Sequence, residues 1–115
     1  MKFQYSRLLK KLPDEFVYKD QVDLGDSMLW ALINNKPVGY ICYLISGIEI
    51  NILYIEVLKD YKRKGIARKL VQRLIEDFGT PETKVSVMPG SYEGSVMFKN
   101  LVESGILPKN TLVGG

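Results

Sequence analysis

The chain of 115 residues has no histidine and a single cysteine, Cys42. The absence of histidine removes the usual general base and, with no cysteine cluster, argues against a structural or catalytic zinc site. Cys42 lies in an apolar run and has no histidine to activate it. It therefore reads as a reduced core residue of an intracellular, cytoplasmic protein and not as a nucleophile. No segment has the length and apolarity of a membrane span or of a signal peptide. Repeats and long linkers are absent too, and with 46% apolar residues the chain reads as one globular domain, residues 1–115, around a single core. Charge is close to balanced, 16 basic residues against 13 acidic, net +3. Much of the basic excess falls in one loop, which points to a local anion site before a general nucleic-acid surface.

That loop is the most informative feature present. Tyr61-Lys62-Arg63-Lys64-Gly65-Ile66-Ala67-Arg68-Lys69-Leu70 sets five cationic side chains and a glycine at the start of a helix. The helix is read from Ile66, Leu70, Val71, Leu74, Ile75 and Phe78 on one face, against Arg68, Lys69, Gln72, Arg73, Glu76 and Asp77 elsewhere, and Gly79 with Pro81 ends it. Free N–H groups and the positive end of the helix dipole favour an anion at such a start, and Gly65 allows a ligand close to the main chain.

An apolar strand, 48–57, runs into this loop, and its phase changes midway. Ile48, Ile50 and Ile52 alternate with Glu49 and Asn51; then Leu53, Ile55 and Val57 alternate with Tyr54 and Glu56. The side-chain period of a strand is two, so the switch implies one extra residue, a β-bulge near Ile52 and Leu53. Glu49, Asn51, Tyr54 and Glu56 then share one face. The bulge bends the strand away from its neighbour and leaves main-chain groups for a ligand.

Elsewhere, Phe3 and Tyr5 suggest a short first strand and 8–12 a brief helix ended by Pro13. Residues 27–33 read as a strand, Asn34-Asn35-Lys36-Pro37 as a turn and 38–45 as the hairpin partner, with Ser46-Gly47 turning into the bulged strand. After the long helix, 84–88 is a short strand and 92–103 a helix with Ser91 as a possible N-cap, closed by Ser104-Gly105. The expected order is three antiparallel strands, helix, strand, helix: an α+β, mostly antiparallel sheet with one parallel pair flanking the principal helix.

A bulged strand followed by Gln/Arg-x-x-Gly-x-Gly/Ala at a helix start resembles the acetyl-CoA-binding motif of the general-control-related N-acetyltransferases (GNAT). Here the motif reads Lys62-Arg63-Lys64-Gly65-Ile66-Ala67. The resemblance covers residues 28–106, and Lys62 departs from the usual Gln or Arg, keeping charge but losing a planar fork of donors. It implies a GNAT-like mixed sheet with a bulged central strand and flanking helices. It implies that backbone groups of Ile55 and Val57 pair with the pantetheine amides of acetyl-CoA, the cosubstrate. The N–H groups of Arg63, Lys64, Gly65, Ile66 and Ala67 then hold the pyrophosphate, with Lys62, Lys64, Arg68 or Lys69 reaching the outer phosphates. The family's Asn-x-x-Ala-x-x-Leu-Tyr segment reads here Ser91-Tyr92-Glu93-Gly94-Ser95-Val96-Met97-Phe98, so Ser91 either bonds the cofactor arm or caps the helix. Phe98 replaces the tyrosine that many members use as general acid, leaving that role vacant or to Tyr92, Tyr54 or water.

The implied reaction is direct attack of a primary amine on the thioester, which requires a proton acceptor, an oxyanion donor and close placement, and no metal. Some members place a glutamate base where Asn51 stands; Asn51 can orient a water but not accept a proton. Glu56, nearest the bulge, is the first choice of base, with Glu49 on the same face, and a solvated or salt-bridged Glu56 is the alternative. Trp30, Tyr40 and Tyr43 read as core or groove wall. The short stretch before the first firm strand suggests an open acceptor groove, suited to a protein lysine or a polyamine-like amine. Two other classes are carried: an acyl-CoA-binding sensor or interaction module without strong catalysis, and a nucleic-acid-binding domain, ranked last because the aromatic residues fall mainly in apolar strands.

Overall fold

The computed structural model describes residues 1–5, 12–17, 27–88 and 92–114. Six strands form one sheet in chain order: β1 (Lys2–Tyr5), β2 (Met28–Ile33), β3 (Lys36–Ser46), β4 (Glu49–Val57), β5 (Lys84–Val87) and β6 (Leu112–Val113). The first four pair antiparallel, whereas β5 runs parallel to β4 and β6 parallel to β5. Parallel neighbours need long crossovers, and α1 (Ile66–Phe78) and α2 (Tyr92–Glu103) lie in the two connections. The α+β, mostly antiparallel class expected from the sequence is the one observed. Phe3 and Tyr5 do mark a first strand. β6 was not expected and gives a second parallel pair; at two residues it is too short to show a period. The brief helix expected over 8–12 lies almost wholly outside the described residues.

The β2–β3 hairpin turns on Asn34 and Asn35, at φ 51° and 64°. Two successive left-handed residues define the type I′ turn, whose twist matches that of the flanking strands. Lys36 and Pro37, expected in the turn, already belong to β3. Ala31 faces Gly39 but Leu32 faces Pro37, so the register slips at Val38. Proline has no N–H to give to a ladder, and a slip beside it is where a strand tolerates one.

Alternation along the strands sends side chains to two cores. On one face Leu29, Ala31, Ile41, Ile50 and Ile52 pack with Leu70, Val71 and Leu74 of α1 and with Phe98 and Leu101 of α2. On the other, Met28, Trp30, Tyr40 and Cys42 pack with Leu12 and Phe16. Trp30, Tyr40 and Tyr43 are thus all core residues, as read from the sequence. The buried face of α1 is the expected one, and Gly79 ends it for a steric reason. Its backbone is extended (φ −75°), and a Cβ there would lie 2.4 Å from the carbonyl oxygen of Ile75, which accepts the Gly79 N–H.

The far end of α1 is tied to β1. The Tyr5 hydroxyl donates to Asp77 Oδ2 at 2.7 Å, and Arg73 Nε donates to the same oxygen at 2.9 Å. The Tyr5 hydrogen bond, and then Arg73, hold the Asp77 carboxyl below its ordinary 3.8. A carboxylate whose folded value lies below its unfolded one stabilises the fold above the unfolded value, and the contribution is lost as pH falls through the folded value. Thermal unfolding of Asp77→Asn, followed by circular dichroism, is expected to give a midpoint about 2 °C below the parent at neutral pH, the small size reflecting an exposed pair. The two proteins are expected to converge as pH falls below 3.8. A gap that persists in acid would show that the ion pair and hydrogen bond are not its source.

Candidate active site

The expected bulge is present. Cys42 faces Tyr54 while Tyr43 faces Ile52, so Leu53 is the extra residue of β4. Before it Ile50 and Ile52 point to the helix side; after it Ile55 and Val57 do. Asn51, Tyr54 and Glu56 therefore share the opposite face across the bulge, with Glu49 in phase with Asn51.

The bulge separates β4 from β5. The β4–β5 register runs from Glu49↔Lys84 to Ile52↔Val87, with Met88 N–H adding a bond to Ile52 O at 3.2 Å. Beyond that point β4 pairs with β3 alone among the described residues. Leu58 N–H turns toward β3, donating to Val38 O at 2.8 Å. Successive residues of a strand present their main-chain groups to opposite edges, so Ile55 and Val57 turn theirs to the open edge. That is the strand-like slot expected for an amide-bearing ligand.

β4 leads through a 3₁₀ turn (Lys59–Tyr61) into the basic loop. Arg63 and Gly65 adopt φ 67° and 74°, and Gly65 is the N-cap of α1. The first helical bond runs from Lys69 N–H to Gly65 O at 3.0 Å. Ile66, Ala67 and Arg68 thus supply the first-turn N–H groups that an α-helix leaves without internal acceptors. Among the described residues no side chain caps this end, and its first turn has no acidic residue. Lys62, Arg63, Lys64, Arg68 and Lys69 stand exposed around it. The positive end of the dipole and the first-turn donors meet three of these cations, Lys62, Arg63 and Arg68, along one cleft, with Lys64 and Lys69 outside its lining, and nothing acidic in that turn offsets them.

Slot and loop open into one cleft of about 510 Å³. Of the residues named from the sequence, Ile55, Glu56, Val57, Lys62, Arg63, Gly65, Ile66, Ala67 and Arg68 line it, joined by Val17, Tyr61, Gly94 and Met97. Lys64 is outside the lining, with its ammonium 5.4 Å above the Tyr61 ring; Lys36 reaches the same ring at 5.8 Å. The Glu56 carboxylate is half-buried. Its Oε1 accepts the Tyr40 hydroxyl at 3.1 Å and its Oε2 accepts the Val17 N–H.

The structure parts Asn51 from Glu56. Asn51 accepts a hydrogen bond from the Ser86 hydroxyl and lines, with Glu49 and Lys84, a separate depression of about 420 Å³ beside β5 and β6. The bulge and the bend it brings put the two residues into different hollows of the same face. Ser91 lies outside the described residues, and Tyr92 is described only as the first residue of α2. Phe98 is wholly buried in the helix-side core, so α2 meets the cleft through Gly94 and Met97. Tyr40, Val17, Tyr61, Gly94 and Met97 were not anticipated as site residues. For Tyr40 a signal existed: counting back from the 46–49 turn through the bulge places it directly opposite Glu56.

A parted, bulged strand leading into a cationic helix start makes one concave, anion-favouring site at the open edge of a mixed sheet. A model of the acetyltransferase (GNAT) family matches residues 2–87, and the chain belongs to that family. Among solved structures, a diaminobutyrate acetyltransferase from Paenibacillus lautus, determined with L-2,4-diaminobutyric acid and coenzyme A, matches at TM-score 0.69 and 16% identity over 93% of this chain and 77% of that one. A GNAT family acetyltransferase from Streptococcus pneumoniae matches at TM-score 0.56 and 19% identity, over 68% and 63%. A ribosomal-protein-alanine N-acetyltransferase from Brucella melitensis matches at TM-score 0.51 and 19% identity, over 64% and 61%. At these identities the likeness shows the fold, and the chain spans less than two thirds of the last two proteins. No curated protein matches significantly. Among the described residues no helix is long and apolar enough to cross a membrane.

Proposed function

We propose that residues 1–115 act as one cytoplasmic domain that moves an acetyl group from acetyl-CoA to a primary amine by direct attack in a ternary complex. The observation that carries this reading is the meeting, in one cleft, of the open β4 edge, the uncapped start of α1 and the Glu56 carboxylate. Pantetheine amides pair with the main chain of Ile55 and Val57, and the pyrophosphate lies on the N–H groups leading into and opening α1. Lys62, Arg63, Arg68 and Lys69 neutralise phosphate charge, with Lys64 contributing from the rim. Glu56 takes a proton from the acceptor ammonium. The amine nitrogen then attacks the thioester carbonyl and the C–N bond forms; as the tetrahedral intermediate collapses the nitrogen gives up its second proton to solvent, the C–S bond breaks, and the thiolate leaves and is protonated from water or a nearby tyrosine. The acceptor class is a protein lysine or an aliphatic di- or polyamine; the substrate of the Paenibacillus relative is itself a diamine.

Isothermal titration with coenzyme A is expected to give saturable one-to-one binding, and no heat of binding would remove the reading. Lys64→Ala is expected to weaken that binding about threefold in low salt and less as salt rises, because it deletes one exposed point charge near the rim. A loss that does not respond to ionic strength would assign Lys64 another role.

A second reading, an acyl-CoA sensor or interaction module, is favoured by Phe98. It fills the family's tyrosine position with a ring that has no hydroxyl and is buried in the core. Coenzyme binding without turnover on any amine would support it.

A further inference from the structure

We propose that Tyr40 is a positioning residue for Glu56, and that the two carboxylate oxygens divide their work: Oε1 is anchored by the Tyr40 hydroxyl, and Oε2 receives the proton of the acceptor ammonium. The inference rests on the reading of Glu56 as the proton acceptor.

Tyr40 and Glu56 are direct cross-strand partners, which brings their side chains together on one face. The Tyr40 hydroxyl stands 3.1 Å from Oε1 and donates to it. Tyr40 itself is 0% exposed. Its ring meets Phe16 edge-on at 5.3 Å and Trp30 at 5.5 Å. Trp30 holds it by ring contact, its indole Nε1 having no hydrogen-bond partner among the described residues. A hydroxyl on a ring packed this way cannot follow a moving carboxylate; the carboxylate must come to it.

The other oxygen faces a different surrounding. Oε2 accepts the N–H of Val17, a residue that is 76% exposed and lines the cleft. Glu56 and Val17 line the cleft together while Oε1 is turned to the buried Tyr40, so in this proposal the amine comes to the Oε2 side of the carboxylate. A glutamate has three side-chain torsions, and on a strand beside an open cleft they would otherwise sample several wells. Donors on both oxygens hold the group in one plane. Misplacement of a reacting group by about 1 Å can cost two orders of magnitude in rate, so an anchor of this kind acts on turnover and not on coenzyme affinity.

One proton passes from the ammonium nitrogen to Oε2 before or during attack, and the neutral carboxylic acid returns it to solvent after the thiolate has left; the second N–H proton lost in forming the amide goes to solvent as the tetrahedral intermediate collapses. Tyr40 keeps its own proton throughout. Its role is therefore separable from general acid chemistry at the leaving group.

The test is a double-mutant cycle, with free thiol release from acetyl-CoA measured using spermidine or a lysine-containing peptide as amine. Tyr40→Phe, which removes the hydroxyl and keeps the ring, is expected to lower kcat about tenfold with KM for acetyl-CoA unchanged. In a Glu56→Gln background the same substitution is expected to add nothing, because the group it positions no longer accepts a proton. A purely structural Tyr40 would instead lower kcat by the same factor in both backgrounds, and that result overturns the proposal. Parent-like kcat in Tyr40→Phe, with Glu56→Gln impaired, overturns the anchor and leaves Glu56 as base. Full activity in Glu56→Gln, or a parent inactive toward both amines, overturns the reading beneath it. Calorimetric titration with coenzyme A checks that each variant keeps the folded cleft.

Discussion

Glu56→Gln is expected to lower turnover about a hundredfold or more while coenzyme A binds with the affinity of the parent, the usual reach of a general base. The substitution keeps the size of the side chain and one acceptor oxygen: with that oxygen toward the Tyr40 hydroxyl, the amide NH2 takes the place of Oε2 before the Val17 N–H, so one of the two hydrogen bonds is kept and the charge is lost. The chain has no histidine, and Cys42 lies buried in the Tyr40 core layer, so neither offers an activated nucleophile for an acyl-enzyme route. Steady-state thiol release, with titration of coenzyme A alongside, separates the effects. Equal turnover in the variant would take Glu56 out of the mechanism and leave the approach of the two reactants as the main contribution of the cleft.

Gly65→Val is expected to abolish measurable coenzyme A binding. Nothing among the described residues lies within 4 Å of a Cβ built on Gly65, so in the free protein the side chain meets open space, and that is the space the proposed reading gives to the pyrophosphate at the start of α1. The backbone there is left-handed at φ 74°. A β-branched residue is strained in this region by about 1–2 kcal/mol, a modest part of the roughly 5–15 kcal/mol that holds a domain. The strain needs its own control, and Gly47 supplies one. It sits in the β3–β4 turn at φ 60°, again with nothing within 4 Å of a Cβ, and does not line the cleft. Gly47→Val is expected to lower the unfolding temperature as Gly65→Val does and to leave coenzyme binding intact. Equal binding by both variants would show that the loop does not receive the pyrophosphate.

Much of the fold was legible because its signals are local. The phase switch between Ile52 and Leu53 gave the bulge, the Ile66 to Leu74 stripe gave α1, and Gly65 among cations marked the helix start. β6 was not legible, since Leu112 and Val113 are too few to alternate and their pairing with Ser86 and Val87 depends on a distant strand. The site divided in the same way. Residues on the strand and loop could be named one at a time, while those that enter from elsewhere could not. Val17 arrives from the N-terminal segment, and Gly94 and Met97 face the cleft because of how α2 packs. Asn51 shows the limit of face counting: period two with the one-residue bulge places it with Glu56, and the bend at Leu53 then carries it to another hollow. Tyr40 was read as core or groove wall because an aromatic residue in an apolar run suggests nothing more. Its second role appears only when strand register is combined with the chemistry of the opposite residue.

The central claim is acetyl transfer to an amine, and intact-mass measurement of products tests it most directly. The purified chain is incubated with acetyl-CoA and a panel of spermidine, a diamino acid and lysine-containing peptides, with Glu56→Gln run in parallel. The account predicts at least one amine gaining the mass of a single acetyl group, stoichiometric with released thiol and strongly reduced in the variant. Coenzyme A binding with every amine left unmodified would contradict it.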